Sequence, residues 1–348
     1  MGEAERPLPS PGPEGFSAWD LVSHYRFPAE LDGSGISVAL VRLYGGFRRS
    51  DVEQYFAAAG RSAPVIETVS LGGEANNPVA DPPANTELVR DLQILGTAAP
   101  GARVTVYFAS NSDQGVMDGI VSAIHDRDRE NTIICLTWEV PEAEIDPMLA
   151  GAVDRALQEA VLLGKLVCAP AGSWTAGGLV PCYPGTDPLV LSCAATRAVA
   201  VGGDFAERPV PAGPGSIAAS QRQARPKWQA RTGGREARRI PGRLVPDVSC
   251  LADAERGYRC YVNGRWGAVG GVGAAVCMWA GLMARIQQSA GRPGLMIPNL
   301  YERVGPGGAL APADPASPRG AWTPATGWGT PDGQRLLSAL TANPRRRR

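Results

Sequence analysis

Apolar, β-branched runs alternate along this chain with segments of helical period, and this alternation restricts the fold more than any other feature. Ile36–Leu43, Val65–Val69, Val104–Phe108, Ile133–Trp138 and Leu166–Ala169 read as strands; Asp51–Ala59, Thr86–Thr97, Gln114–His125 and Pro147–Leu163 read as helices. A strand that is apolar on both faces must be covered on both. Parallel strands also need a long crossover, which the intervening helices supply. The pattern predicts an α/β fold, a mostly parallel sheet with helices on both faces. No internal repeat interrupts it. Residues 1–15, polar and proline-rich, read as a disordered lead, 16–341 as a single domain, and 342–348 as a basic tail that frays at Arg345–Arg348. Within the domain, residues 206–243 are polar, glycine-rich and basic and read as a long loop region. Gly305–Pro324 reads as another loop.

At 348 residues, with 44% hydrophobic side chains, the chain is long enough to bury a substantial core. Formal net charge is zero, so there is no overall attraction to nucleic acid or to a membrane surface. Glu3–Glu14 lacks the apolar segment of a signal peptide, and no run is long and uniform enough to span a membrane. Seven cysteines without CxxC spacing read as free, mostly buried thiols in a reducing compartment, and the expected location is cytoplasmic. Lys165 and Lys227 are the only lysines. Seven arginines and Lys227 fall within 222–243 against one acid, Glu236, with Trp228 among them. Such a segment could grip an anionic partner through bidentate arginine contacts, or stay solvated and mobile.

Two acids carry the clearest chemical signal. Glu87 and Asp91 stand four residues apart on a predicted helix and share a face, bordered by the apolar stripe of Leu88, Leu92 and Leu95. Two close carboxylates beside apolar surface cannot both ionise cheaply. One is expected to hold its proton and the pair to titrate as a unit, which equips it as a general acid or base. The plain alternative is an exposed helix with two solvated acids. A second signal is Gly270-Gly271-Val272-Gly273-Ala274-Ala275, which opens a helix that runs to Ile286 and is apolar all round, as buried core helices are.

That run resembles the Gly-Gly-Thr-Ser-Ala signature of the sedolisins, the serine-carboxyl peptidases. Further pieces follow in the family's order: Tyr25-Arg26-Phe27-Pro28 with Leu31-Asp32-Gly33, Ala99-Pro100-Gly101-Ala102, Val106-Tyr107-Phe108-Ala109, Thr137-Trp138, Val245-Pro246-Asp247-Val248, Gly257-Tyr258 and Asn299-Leu300-Tyr301. The resemblance runs from Phe16 to Leu340. It implies a subtilisin-like fold with a seven-stranded sheet, and a prosegment that keeps the protease latent. The chain starts almost at the mature domain, so that segment is expected to be missing or removed.

The resemblance also implies roles. Glu87 matches the family's general base and Asp91 its supporting acid. Gly273 stands at the position of the nucleophilic serine and leaves it vacant. Ser173, after Ala171-Gly172, takes the place of an aspartate that helps form the oxyanion hole, where a hydroxyl can donate one hydrogen bond. Trp138, Glu139 and Val140 match a substrate-binding Ser-Trp-Gly-Gly strand, and Glu139 is expected to crowd it and bring a third carboxylate near the cleft. Val272 replaces a threonine and Cys277 a proline. The expected substrate-binding residues are therefore Trp138, Glu139, Gly172 and Cys277.

No substitute nucleophile stands out. Cys277 lies one helical turn beyond Gly273 on the same face, but in an all-apolar helix it reads as a packed, inert thiol. No base for Ser173 can be named from the sequence. His24 and His125 sit in no nucleophile motif. The family's calcium site, with its aspartate in a Gly-Trp-Asp-Pro run, falls on Ala321-Trp322-Thr323-Pro324. Thr323 supplies no charge and Asp314 alone is not enough, so neither metal nor cofactor is expected. The sequence thus leads to the expectation of a non-proteolytic protein that reuses Glu87 and Asp91 for acid–base chemistry. An isomerisation, elimination, cyclisation or hydration of a small molecule or modified peptide would fit. The alternatives are a pseudopeptidase that holds a peptide or protein without chemistry and, third, a peptidase with an unfamiliar nucleophile.

Overall fold

A computed structural model describes residues 7–12, 14–175, 177–210, 216–291 and 296–342. An eight-stranded sheet lies at its centre, made of β1 (Ser37–Arg42), β2 (Val65–Ser70), β3 (Arg103–Phe108), β4 (Ile133–Leu136), β6 (Leu166–Pro170), β9 (Val190–Val201), β10 (Asp204–Pro209) and β13 (Val248–Leu251). The order is β10-β9-β6-β4-β1-β3-β2, with β13 also paired to β9. Every pairing is parallel except that of β10 with β9. A second, three-stranded sheet joins β5 (Val140–Pro141), β8 (Gly178–Tyr183) and β7 (Gly172–Thr175). Two further pairs are β11 (Ala219–Ala224) with β12 (Gly242–Leu244), and β14 (Tyr258–Val262) with β15 (Arg265–Val269).

Alternate side chains of the central strands enter two separate cores, as the period of two demands. Val38, Leu40, Val104, Val106, Ile133 and Cys135 pack on one face, with the helices α1 (Ala18–His24), α2 (Arg49–Ala58), α3 (Pro82–Ala98) and α6 (Gly273–Ala290). Ala39, Val41, Tyr107, Ile134 and Leu136 pack on the other, with α4 (Asp113–His125) and α5 (Pro147–Leu162). The expected strands and helices are present with shifted ends. The helix α3 starts earlier than expected because Pro82 and Pro83 occupy its first turn, where a missing N–H costs nothing, and Asp81 Oδ1 accepts the Ala84 N–H at 2.9 Å. From Gly273 to Gln287 every residue of α6 is buried, and the Trp279 indole donates to the Ser249 carbonyl at 2.9 Å.

Three expectations differ from the structure. The central sheet has eight strands where the resemblance implied seven, with the one antiparallel strand, β10, folding back along β9. Residues 7–12, 14 and 15 of the expected lead belong to the folded body: Leu8 is buried and its N–H donates to the Phe205 carbonyl at 2.6 Å. Residues 1–6, 13 and 343–348 lie outside the described residues. The segment 206–243, expected as loop, contains part of β10, then β11, the start of β12 and two short 3-10 turns. Its arginines are partly structural. Arg225 donates to the carbonyls of Gln229, Thr232 and Ala237, which ties the segment to itself. Arg243 is fully buried against Asp247 at 2.6 Å. Among the described residues no helix is long and apolar enough to cross a membrane. All seven cysteines are buried and unpaired.

Candidate active site

The strand order reverses direction about β1, and ligands of open α/β sheets bind at the carboxyl ends of the strands beside such a reversal. Arg42 ends β1 and Thr137 follows β4, and they meet there: Arg42 Nη1 donates to Thr137 Oγ1 at 3.1 Å. Arg42 Nη2 donates to the Ala84 carbonyl at 3.1 Å and lies 3.7 Å from Glu87 Oε2, while Nη1 lies 3.9 Å from Asp91 Oδ2. Glu87 and Asp91 share a face of α3 as expected, but their surroundings differ. The Asp91 side chain is 0% exposed and that of Glu87 52%.

A second arginine completes the cluster. Arg90, buried within α3, donates from Nε and Nη2 to Asp91 Oδ1 at 2.9 and 2.7 Å, and from Nη1 to the Gly270 carbonyl at 2.5 Å. Burial works against its charge, yet the neighbouring carboxylates outweigh burial and hold the guanidinium more firmly protonated than usual. The expectation that one of the two acids holds a proton assumed only apolar neighbours. The guanidinium groups of Arg42 and Arg90 also lie beside the pair.

Gly273 opens α6 directly above this cluster. A Cβ there would stand 2.5 Å from Arg90 Nη2, 3.3 Å from Thr137 Cβ and 3.4 Å from Asp91 Oδ1. Asp91 therefore lies beside residue 273, with the Arg90 guanidinium against both. Cys277, expected to bind substrate, is instead fully buried in the core, and burial first of all pushes its thiol well above the ordinary range. His125 pairs with Glu159 at 2.7 Å between α4 and α5, on the other face of the sheet.

The three-stranded sheet builds the facing wall. β5 begins just after Trp138 and Glu139, β7 contains Ser173, and β8 pairs with both strands. Gly172 makes this turn of chain possible: it has φ +148°, and a Cβ would collide with the Val180 carbonyl across the pair. The result places the exposed Ser173 hydroxyl in hydrogen-bond contact with Glu139, donating to Oε1. Burial raises the Glu139 pKa, the Ser173 hydrogen bond opposes this, and the negative field of Glu87 adds to the rise. Glu139 Oε2 is buried without a hydrogen-bond partner, and so are the indole N–H groups of Trp138 and Trp174. A cleft of about 370 Å³ opens between the start of α3 and the segment that leads into β5, lined by Arg42, Tyr44, Asp81, Glu87, Trp138 and Glu139.

Sequence reasoning missed three features here. Arg42 was legible in principle, since a charged residue closing an otherwise apolar central strand needs a buried partner. Arg90 carried a weaker signal, an arginine next to an acid inside a helix with apolar residues on both sides. The Ser173–Glu139 contact joins residues 34 positions apart, and only the pairing of β5, β8 and β7 creates it. At the expected calcium position, Thr323 pairs with Thr326 at 2.8 Å, and Asp314 accepts the Ala316 N–H at 2.9 Å. Among the described residues no group of three or more His, Cys, Asp or Glu is placed to hold a metal ion.

The sheet, its two helical layers and the cleft at the strand ends define a subtilisin-like α/β protein. The Pseudomonas sedolisin structure, a serine-carboxyl proteinase bound to pseudo-iodotyrostatin, superposes with a TM-score of 0.76 over 96% of this chain and 100% of that one, at 19% identity. A lanthipeptide protease structure superposes with a TM-score of 0.55 over 93% of this chain and 98% of that one, at 13% identity. No family model matches the sequence. Kumamolisin of Bacillus sp. is 35% identical over 97% of this chain and 66% of its own length. Tripeptidyl-peptidase sed5 of Aspergillus fumigatus is 25% identical over 79% of this chain and 54% of its own length. The chain belongs to the sedolisin family. It spans less than two thirds of the length of these curated relatives. Because the relatives are peptidases, the expectation of a non-proteolytic protein, whether a reused acid–base site or a binder without chemistry, is corrected: the similarity favours proteolysis, and nothing found favours another role.

Proposed function

We propose that this chain hydrolyses peptide bonds, with a polypeptide lying in the cleft along Trp138–Val140. The observation that carries the reading is a cleft in which the acidic face of α3, with Glu87, meets the Trp138–Glu139 segment. Beside it, the exposed Ser173 hydroxyl donates to Glu139, one of the residues that line the cleft. Membership of a peptidase family supports the substrate class.

In this reading the family's nucleophile position is Gly273, which has no atom that can attack a carbonyl. Hydrolysis therefore draws on another group in or beside the cleft. Glu87, Asp91, Arg42 and Arg90 form a charge-balanced wall that holds the cleft's shape. The test is incubation with a library of internally quenched peptides from mild acid to neutrality, with new termini read by mass spectrometry. Cleavage at internal bonds is the expected result. Folded protein that generates no new termini from any peptide overturns the proposal.

A further inference from the structure

We infer that Ser173 and Glu139 are the nucleophile and the general base of this cleft. The inference rests on the peptide-hydrolysing reading above and gives it a chemistry. Three observations carry it. Residue 273 offers no attacking atom, and its side-chain space is taken by Arg90. Ser173 is exposed, and its hydroxyl already points its proton at Glu139 Oε1, the geometry a general base requires. Around the pair, Glu139 Oε2 and the indole N–H groups of Trp138 and Trp174 are buried without a hydrogen-bond partner, so Glu139 Oε1 is the carboxylate oxygen that meets the hydroxyl. Burial of the Glu139 carboxyl also makes its anion a stronger base than a solvated carboxylate.

The reaction balances with these two residues and water. As Ser173 Oγ bonds to the scissile carbonyl carbon, its proton passes to Glu139 and the carbonyl π pair moves onto oxygen. Collapse of the tetrahedral species breaks the C–N bond, and the leaving amine takes the proton from Glu139. An acyl ester on Ser173 remains. Water then gives a proton to Glu139 while its oxygen attacks the ester carbon. The C–Oγ bond breaks, Ser173 recovers the proton, and the products are one carboxylic acid and one amine.

The experiment pairs hydrolysis of quenched peptides with acylation by p-nitrophenyl acetate, the acetylated residue being located by mass spectrometry. Expected are acetyl transfer to Ser173, and losses of ~10²-fold or more in both reactions for Ser173→Ala and Glu139→Gln. The rate of acylation should also rise with pH through the Glu139 titration, and this limb should vanish in Glu139→Gln. Ser173→Ala truncates an exposed side chain, so its result stands even if Glu139→Gln fails to fold. Peptide cleavage undiminished in Ser173→Ala, or acetylation elsewhere, overturns the dyad and leaves the peptide reading intact. Acetylation of Ser173 that depends on Glu139, without cleavage of any peptide, supports the dyad and overturns the peptide reading. Neither reaction overturns both.

Discussion

The Arg90 guanidinium occupies the space that a side chain at residue 273 would fill: Nη2 lies 2.5 Å from the position of a Cβ on Gly273. The two residues are a complementary pair. Glycine leaves the volume, and arginine uses it to reach both Asp91 and the Gly270 carbonyl. This makes residue 273 a packing position in the present molecule.

Gly273→Ser should therefore be destabilising and should not raise peptide cleavage. The new side chain must displace a guanidinium held by three hydrogen bonds, and overpacking of this kind costs about 1–3 kcal/mol. Urea denaturation of the purified variant measures the loss. Wild-type stability together with increased hydrolysis would show that Arg90 yields freely.

Arg90→Met should cost more. It leaves Asp91, which has no exposed surface, with only the long contact to Arg42 at 3.9 Å, and breaking a buried ion pair costs about 3–5 kcal/mol. Adding Asp91→Asn to Arg90→Met should recover a large part of this, because no buried charge is then stranded. Equal destabilisation in the single and double variants would argue that Arg90 matters for its volume alone.

Stability should fall as pH rises from mild acid to neutrality. Burial pushes the Glu207 carboxyl, which accepts from Tyr25 and Thr196, up to about 7 from 4.5. Asp187, buried beside Asp154, rises in the same direction to about 7 from 3.8. In both cases the folded state binds more protons between the unfolded and folded values, so unfolding becomes easier as pH climbs through that window. For Glu207 the effect is on the order of 3 kcal/mol at neutrality. Thermal melts across the window should show a falling midpoint for the wild type and a flatter curve for Glu207→Gln. A midpoint that rises with pH would contradict the assignment.

Cys277 should resist alkylation in the folded protein. It is fully buried in α6, and burial keeps its thiol protonated. Iodoacetamide at neutral pH should modify it only after denaturant is added, as peptide mapping would show. Fast labelling of the native protein would mean that α6 opens at its first turns.

The elements that could be read from sequence are those whose side chains obey one local period. The strands around Val38–Val41 and Val104–Phe108 are apolar on both faces because both faces are covered, and α6 is apolar all round because it is enclosed. The acid pair was legible for the same reason, since Glu87 and Asp91 share a helix face whatever surrounds them. What could not be read was charge compensation: Arg42 lies 45 residues before Glu87 and meets it only because β1 ends beside α3. The lead around Leu8 was misread because its proline-rich composition favours disorder, while the pairing of Leu8 with Phe205 and of Glu14 with Arg259 docks it.

By itself, then, the sequence determined the layered α/β fold, the position of the acidic helix face and the presence of glycine at 273, all consequences of local pattern and residue identity. Tertiary structure alone decided that Arg90 fills the space above Asp91 and that Ser173 meets Glu139. Both contacts depend on how strands and helices distant in sequence are brought together, and the energy of a buried charge or a shared proton is set by the neighbours it meets there.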